Sequence, residues 1–259
     1  MALCKDPALT YLNGLGYNVV RLPRVGIEPL DILGKDDKSV ERLGHVDQMW
    51  TSPQSLPPVN GPQAATGVSG QKTSELKASI GLKILSAALG AMGAAVPEVS
   101  FGYSKARKVT FTFTDVQVYL VDPLVVGNYL AAGDLSSGNP FVRRYFEDDD
   151  TEAFILTEVL KSKSITVTAL DESNAEVGVD FPAIQQVVGA KVNVTSKTST
   201  NTTLTYSGGF ELSFGFRCFG IAYVDGAWRV HSAKPSGAVS FAAGSKNGSL
   251  LGEGRIVLR

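Results

Sequence analysis

The sequence predicts an α+β fold in which a twisted, mostly antiparallel central β-sheet carries helices around it. Three stretches predict it. From Thr202 to Tyr223 apolar and polar residues alternate, with Leu204, Tyr206, Phe210, Leu212, Phe214 and Phe216 on one face and Thr203, Thr205, Ser207, Glu211, Ser213 and Arg217 on the other. From Lys105 to Val121 the alternation recurs at Val109, Phe111 and Phe113 and changes phase near Asp115, as in a long strand with a bulge. From Lys72 to Met92, by contrast, Leu76, Ile80, Ile84 and Leu85 fall at helical spacing with Lys72, Lys77 and Lys83 between them.

The remaining elements follow in chain order. Asp6 as a cap and Pro7 at the first helical position predict a short helix through Leu12 that stops at Gly14 and Gly16. Tyr17 to Leu22 and Pro29 to Leu33 read as short strands bounded by Gly and Pro, and Ser52 to Gly70 as an exposed loop. An acidic connection, Glu147 to Asp150, precedes a mixed run from Phe154 to Leu170 that ends in alternation at Ile165, Val167 and Ala169. Phe181 to Val188 is a short amphipathic helix and Lys191 to Thr195 a strand. The Asp225-Gly226 turn leads into a last strand at Trp228 to Val230. Beyond Ser232, Ala, Gly, Ser and Pro dominate as far as Ser249, and the basic-flanked Ile256-Val257-Leu258 closes the chain. The expected division is a core over residues 1–232 and a tail over residues 233–259.

Composition bounds the function. The 259 residues are 44% apolar, enough for a packed core. Basic residues number 24 against 25 acidic ones, so no overall field draws the chain to nucleic acid, and any attraction to anionic lipid must be local. Two cysteines, Cys4 and Cys218, make no disulfide framework and fit a reducing cytoplasm, where the Asn-x-Ser/Thr triplets at Asn193, Asn201 and Asn247 meet no glycosylation machinery. Lys5 and Asp6 interrupt the only apolar start, which argues against a secretory signal. The uncharged run Ile84 to Pro97 is 14 residues long, short of the roughly 20 that a membrane-spanning helix needs.

Catalytic chemistry finds no anchor. His45 and His231 have no partner at metal-binding spacing, and the Glu147–Asp150 run lacks the spacing and glycine of a calcium loop. Gly67 to Thr73 lacks a lysine directly after its second glycine, so it reads as a helix entry rather than a phosphate loop. No Gly-x-Ser-x-Gly elbow occurs, and Cys4 stands too close to the terminus for a preorganised nucleophile. Lys105, Arg107, Lys108, Arg143 and Arg144 read as solubilising charge, with lipid headgroups as the other reading. The expectation is a protein that is not an enzyme, with no metal and no cofactor.

Cys4-Lys5-Asp6-Pro7, Tyr11-Leu12, Gly16 through Pro23 (GYNVVRLP) and Ile27-Glu28-Pro29-Leu30 resemble the opening of bacterial gasdermins, and the layout of the remaining chain agrees. The resemblance implies a gasdermin N-domain-like core closed by a short C-terminal inhibitory peptide, a cytoplasmic monomer when latent. It further implies that a caspase-like or other protease removes the tail. The core then assembles with copies of itself into a large β-barrel pore in the inner membrane, on anionic lipid, and kills the cell in defence against phage. A palmitoyl or similar acyl chain on Cys4 is implied as well. Phe241, Gly244, Lys246 and Leu250 are candidate positions for the cut, and Ile256, Val257 and Leu258 for the anchor of the tail. Val109, Phe111, Phe113, Ile165, Val167, Leu204, Tyr206, Phe210, Leu212, Phe214 and Phe216 are candidates for the membrane-inserting strands. Alternation alone fits equally a second reading, a soluble α+β module that binds a ligand or a protein.

Overall fold

Two long runs of alternating residues organise the molecule. In the computed structural model the described residues are 17–36, 40–73, 75–95, 98–136, 138, 140–147, 151–232, 239–241 and 256–258. The first strands are β1 (Asn18–Arg24), β2 (Asp31–Lys35), β3 (Val40–His45), β4 (Trp50–Thr51), β5 (Asn60–Ala64) and β6 (Leu76–Lys77). The helix Ala78–Met92 follows, then β7 (Lys108–Thr114) and β8 (Gln117–Leu120). Helices Pro123–Ala131 and Pro140–Glu147 flank β9 (Asp134–Leu135) and lead to the 19-residue β10 (Glu152–Leu170). After the helix Phe181–Val188 come β11 (Val192–Ser196), the 22-residue β12 (Thr203–Val224), β13 (Ala227–Ser232), β14 (Val239–Phe241) and β15 (Ile256–Leu258).

β10 and β12 pair antiparallel over almost their whole length and divide into two halves with different neighbours. In one half β10 also pairs with β2, and β12 with β1. The order β12-β1-β14-β15-β3-β2-β10, with β10 back on β12, closes these seven strands into a ring. Val20, Leu33, Val40, Phe154, Leu156, Val159 and Phe216, drawn from five of those strands, form a single buried cluster that fills it. In the other half β7 flanks β10 and β11 flanks β12, which makes a four-stranded wing in the order β7-β10-β12-β11. The helices Ala78–Met92 and Phe181–Val188 cover one face of the wing.

Most expected elements are present, with instructive differences. The helix expected from Lys72 begins at Ala78. The Thr73 amide donates to the Phe111 carbonyl at 2.7 Å and the Thr73 hydroxyl accepts from the Phe111 amide at 2.9 Å, while Leu76 and Lys77 pair with β7. Backbone groups spent on a sheet edge are not available to a helix. The buried stripe is therefore Leu82, Leu85, Ala88, Leu89 and Met92, and Ile80 faces solvent. The strand expected from Pro29 starts at Asp31, because Leu30 has φ 71°. The phase change at Asp115 is a bend with φ 53° that separates β7 from β8.

The uniform face expected along Leu204–Phe216 breaks at Phe210, which is 59% exposed. Ser162 pairs with Leu212 but Ser164 pairs with Ser207, so Gly208 through Glu211 loop out opposite Lys163 alone. A Cβ at Gly208 would lie 3.0 Å from the Met92 side chain, so the glycine permits the helix to approach there. Within the stretch read as the loop Ser52–Gly70, β5 pairs with β8 while all five of its residues stay exposed. In the tail, where Ala, Gly, Ser and Pro dominate, residues Val239–Phe241 form β14, which pairs parallel with β1. The N-terminal helix expected at residues 6–12 lies outside the described residues.

Candidate functional site

The wing has two chemically distinct faces, and the register of its strands lines up both. On the covered face Val109 lies opposite Ala169, Phe111 beside Val167 and Leu204, and Phe113 beside Ile165, Tyr206 and Val194. All of these except Phe113 are buried, and Phe113 is partly buried with its ring stacked on Phe214 at 3.9 Å. The opposite face consists of three rows of short polar side chains: Thr110-Thr168-Thr203, Thr112-Thr166-Thr205-Thr195 and Thr114-Ser164-Ser207-Asn193. Hydroxyls bond across the strands, Thr166 with Thr205 at 2.8 Å and Thr203 to Thr168 at 3.1 Å. No charged residue stands in these rows.

Charge enters the long strands in the ring half instead. Arg217 Nη1 donates to Glu158 Oε2 at 3.0 Å, and the Tyr17 hydroxyl bonds the same carboxylate. The nearly buried Lys161 Nζ donates to Glu28 at 2.5 Å and lies 4.5 Å from the centre of the Tyr119 ring. On the neighbouring strands Arg42 holds the fully buried Asp31 with Nε at 2.6 Å and Nη2 at 2.7 Å.

Helix cover and wing meet at specific points. A Cβ at Gly81, in the first turns of Ala78–Met92, would collide with Val109 on β7, so this helix sits directly on the strand. Beside it the Tyr103 and Tyr206 hydroxyls pair at 2.8 Å in the core. Burial pushes the Tyr103 phenol above its ordinary pKa, so both rings stay neutral throughout the physiological range. Replacing Tyr103 by Phe is expected to lower stability by about 1–3 kcal/mol, since the Tyr206 hydroxyl is then buried without a partner. Thermal unfolding of Tyr103→Phe and of the double variant with Tyr206→Phe checks this. Most of the loss should return in the double variant, and equal stability of all three proteins would refute it.

The sequence-expected site residues are dispersed accordingly. Val109, Phe111, Phe113, Ile165, Val167, Leu204 and Tyr206 come together on the covered face of the wing. Leu212 joins the same cluster, Phe214 packs beyond it against Val118 and Leu160, and Phe216 points into the ring. Residues 256–258 form β15, which pairs parallel with β14 on one side and, through Leu258 and Val40, with β3 on the other. Phe241 is the last residue of β14, whereas Cys4, Gly244, Lys246 and Leu250 lie outside the described residues.

Sequence reasoning placed Thr203, Thr205 and Ser207 on one face but did not join them into rows with β7, β10 and β11, and it did not single out the edges of β1 and β3. The rows have a readable signal in Thr-x-Thr at 110–114, 166–168 and 203–205; the edges have none. His45 bonds Asp47 at 2.7 Å at the surface, and Cys218 lies against the ring cluster. Among the described residues no group of three or more His, Cys, Asp or Glu is placed to hold a metal ion, and no helix is long and apolar enough to cross a membrane.

Comparison with known proteins agrees along the chain. The profile of the Bacterial Gasdermin Family matches residues 20–232. A gasdermin bGSDM of Vitiosangium sp. is 40% identical over 99% of this chain and 98% of its own length. One from a Desulfuromonadales bacterium is 32% identical over 93% of this chain and 90% of its own. The solved structure of a bacterial gasdermin from Bradyrhizobium tropiciagri superimposes with a TM-score of 0.63 at 17% identity, covering 88% of this chain and 91% of that one, which supports the fold.

Proposed function

Because the chain belongs to the bacterial gasdermin family, whose members are pore formers rather than enzymes, we propose that the closed structure is a latent state that opens into a membrane pore when its tail is cut. The wing carries this reading. One of its faces is mainly apolar and hidden beneath helices, and the other presents rows of Thr, Ser and Asn, with Lys108 at the start of β7. Such strands can turn the first face to lipid and the second to water, provided they close into a barrel and leave no unpaired edge. β10 and β12, at 19 and 22 residues, exceed the roughly 9–11 residues that a tilted strand needs to span the hydrocarbon.

Several finer assignments belong to the same reading. The core is residues 1–232, and residues 233–259 are a cleavable linker and the inhibitory peptide. A caspase-like or other protease cuts ahead of β15, in the region of Phe241, Gly244, Lys246 and Leu250. Ile256, Val257 and Leu258 are the anchor that leaves. Copies of the opened core assemble on anionic lipid of the inner membrane, where the pore kills the cell and limits phage spread. An acyl chain on Cys4 strengthens membrane attachment, since each buried methylene adds about 0.8 kcal/mol.

Dye release from liposomes of bacterial lipid tests this, using protein with a protease site engineered at Gly244 and its Cys4→Ala variant. Leakage is expected only after cutting, and more slowly from the Cys4→Ala variant when the parent shows an acyl mass on Cys4. If mass spectrometry shows that the tail has left and no dye escapes, the pore reading fails and the soluble binding module takes its place. If the acylated parent and Cys4→Ala leak alike, the acyl role falls.

A further inference from the structure

The tail strands occupy a slot with matched walls. β1, β14, β15 and β3 run parallel to one another in that order, with Phe241, Leu258 and Val40 in one row. A cut between residues 242 and 255 separates β15 from the core but leaves β14 joined to it. Two strand edges then lose their partner at once, that of β14 and that of β3. Each had been hydrogen-bonding to the same strand in the same direction, so β14 and β3 are themselves parallel and complementary in backbone pattern. Unpaired edges of this kind recruit another strand.

We infer that β15 holds the place of a second copy of this chain: once it has left, the β14 edge of one molecule pairs with the β3 edge of the next. This rests on the pore reading and supplies its assembly step. The contact is head-to-tail, because two different edges meet, and head-to-tail contacts repeat around a ring until it closes. In the uncut chain β15 blocks both edges, and self-association is withheld for the same reason.

Cysteine cross-linking tests the pairing on full-length protein with the site at Gly244. One preparation carries Val40→Cys and a second carries Phe241→Cys, and the two are mixed on liposomes under mild oxidation. Each preparation carries one of the two cysteines, so no disulfide between residues 40 and 241 can form within a chain. The expected result is a disulfide between the two chains after cutting, at least tenfold more abundant than before cutting and absent when either substitution is left out. Glu41→Cys, one residue along β3, with Phe241→Cys and a short bismaleimide in place of oxidation, serves if Val40→Cys does not fold. Dye release without a disulfide between chains would overturn the inference while leaving the pore reading intact. A single chain carrying both cysteines covers the remaining case: a disulfide within that chain that forms only after cutting, with none between chains, would show the slot closing on itself and equally overturn the pairing. Loss of the tail with no leakage at all would sink the pore reading itself.

Discussion

Oxidising a cut chain that carries Gly81→Cys and Val109→Cys is expected to abolish dye release from liposomes, and a reducing agent to restore it. The two positions meet where the helix Ala78–Met92 rests on β7, since a Cβ at Gly81 already collides with the Val109 side chain. A disulfide there pins helix to strand at a separation that suits the bond. If the apolar face of the wing must reach lipid, the helix covering Phe111, Val167 and Leu204 has to move away, and a covalent pin prevents it. The reduced double variant is expected to leak at least as fast as the parent, because the small-to-large change at Gly81 weakens the helix contact. The measurement is leakage rate, oxidised against reduced, with a free-thiol assay to confirm the bond. Equal rates in the two states would show that the helix stays in place and that the wing is not the inserting surface.

Replacing Arg42 by Ala should cause the largest loss of stability among single changes to charged residues. Asp31 is fully buried and its carboxylate takes two Arg42 N–H groups and the Glu28 amide, the last at 3.0 Å. Its bond to Asp31 raises the Arg42 guanidinium above its ordinary pKa, so the arginine stays charged at any pH at which the protein is handled. Removing the arginine leaves the carboxylate buried with a single donor. Breaking a buried pair costs about 3–5 kcal/mol, and the partial exposure of Arg42 brings the expectation to about 2–4 kcal/mol, a drop of about 5–15 °C in the melting midpoint. Arg42→Lys should fall between, since it keeps the charge without the fork. Arg42→Met combined with Asp31→Leu should recover most of the loss, because no charge is then left unpaired. Calorimetry of the four proteins decides it; an unchanged midpoint for Arg42→Ala would show that the ion pair is incidental.

The strands of this fold were readable where a residue's neighbours are set by period alone. Thr-Phe-Thr-Phe-Thr at 110–114 and Thr-Leu-Thr-Tyr-Ser at 203–207 alternate because one side meets helices and the other does not, and the Asp225-Gly226 turn forms with positive φ at both residues. Phe210 shows where period fails: two glycines let the strand loop out, and alternation counted through them assigns the wrong face. Lys72 to Lys77 had the spacing of a helix, but backbone bonds to Phe111, a residue far along the chain, decided otherwise. The helix at Pro123 was missed although Asp122 caps it through the Leu124 amide and proline follows at the first position, a local signal fully present in the sequence. β3 was missed because Arg42 reads as a surface charge until Asp31 is brought beneath it. The placement of β15 between β14 and β3 depends on backbone edges contributed by distant segments, which no local pattern encodes.

A strand of three residues, paired with β3 at one row, is a feeble ligand by itself. Tethered, it needs no strength, because a short linker holds it near its slot at an effective concentration in the millimolar range. One hydrolysed peptide bond ends that advantage, and the freed segment is diluted into the surrounding volume, where the same contacts bind almost nothing. On the proposed reading, the switch is therefore set less by how well β15 fits than by its remaining attached, and it would be thrown by a single covalent event without any change in the contacts themselves.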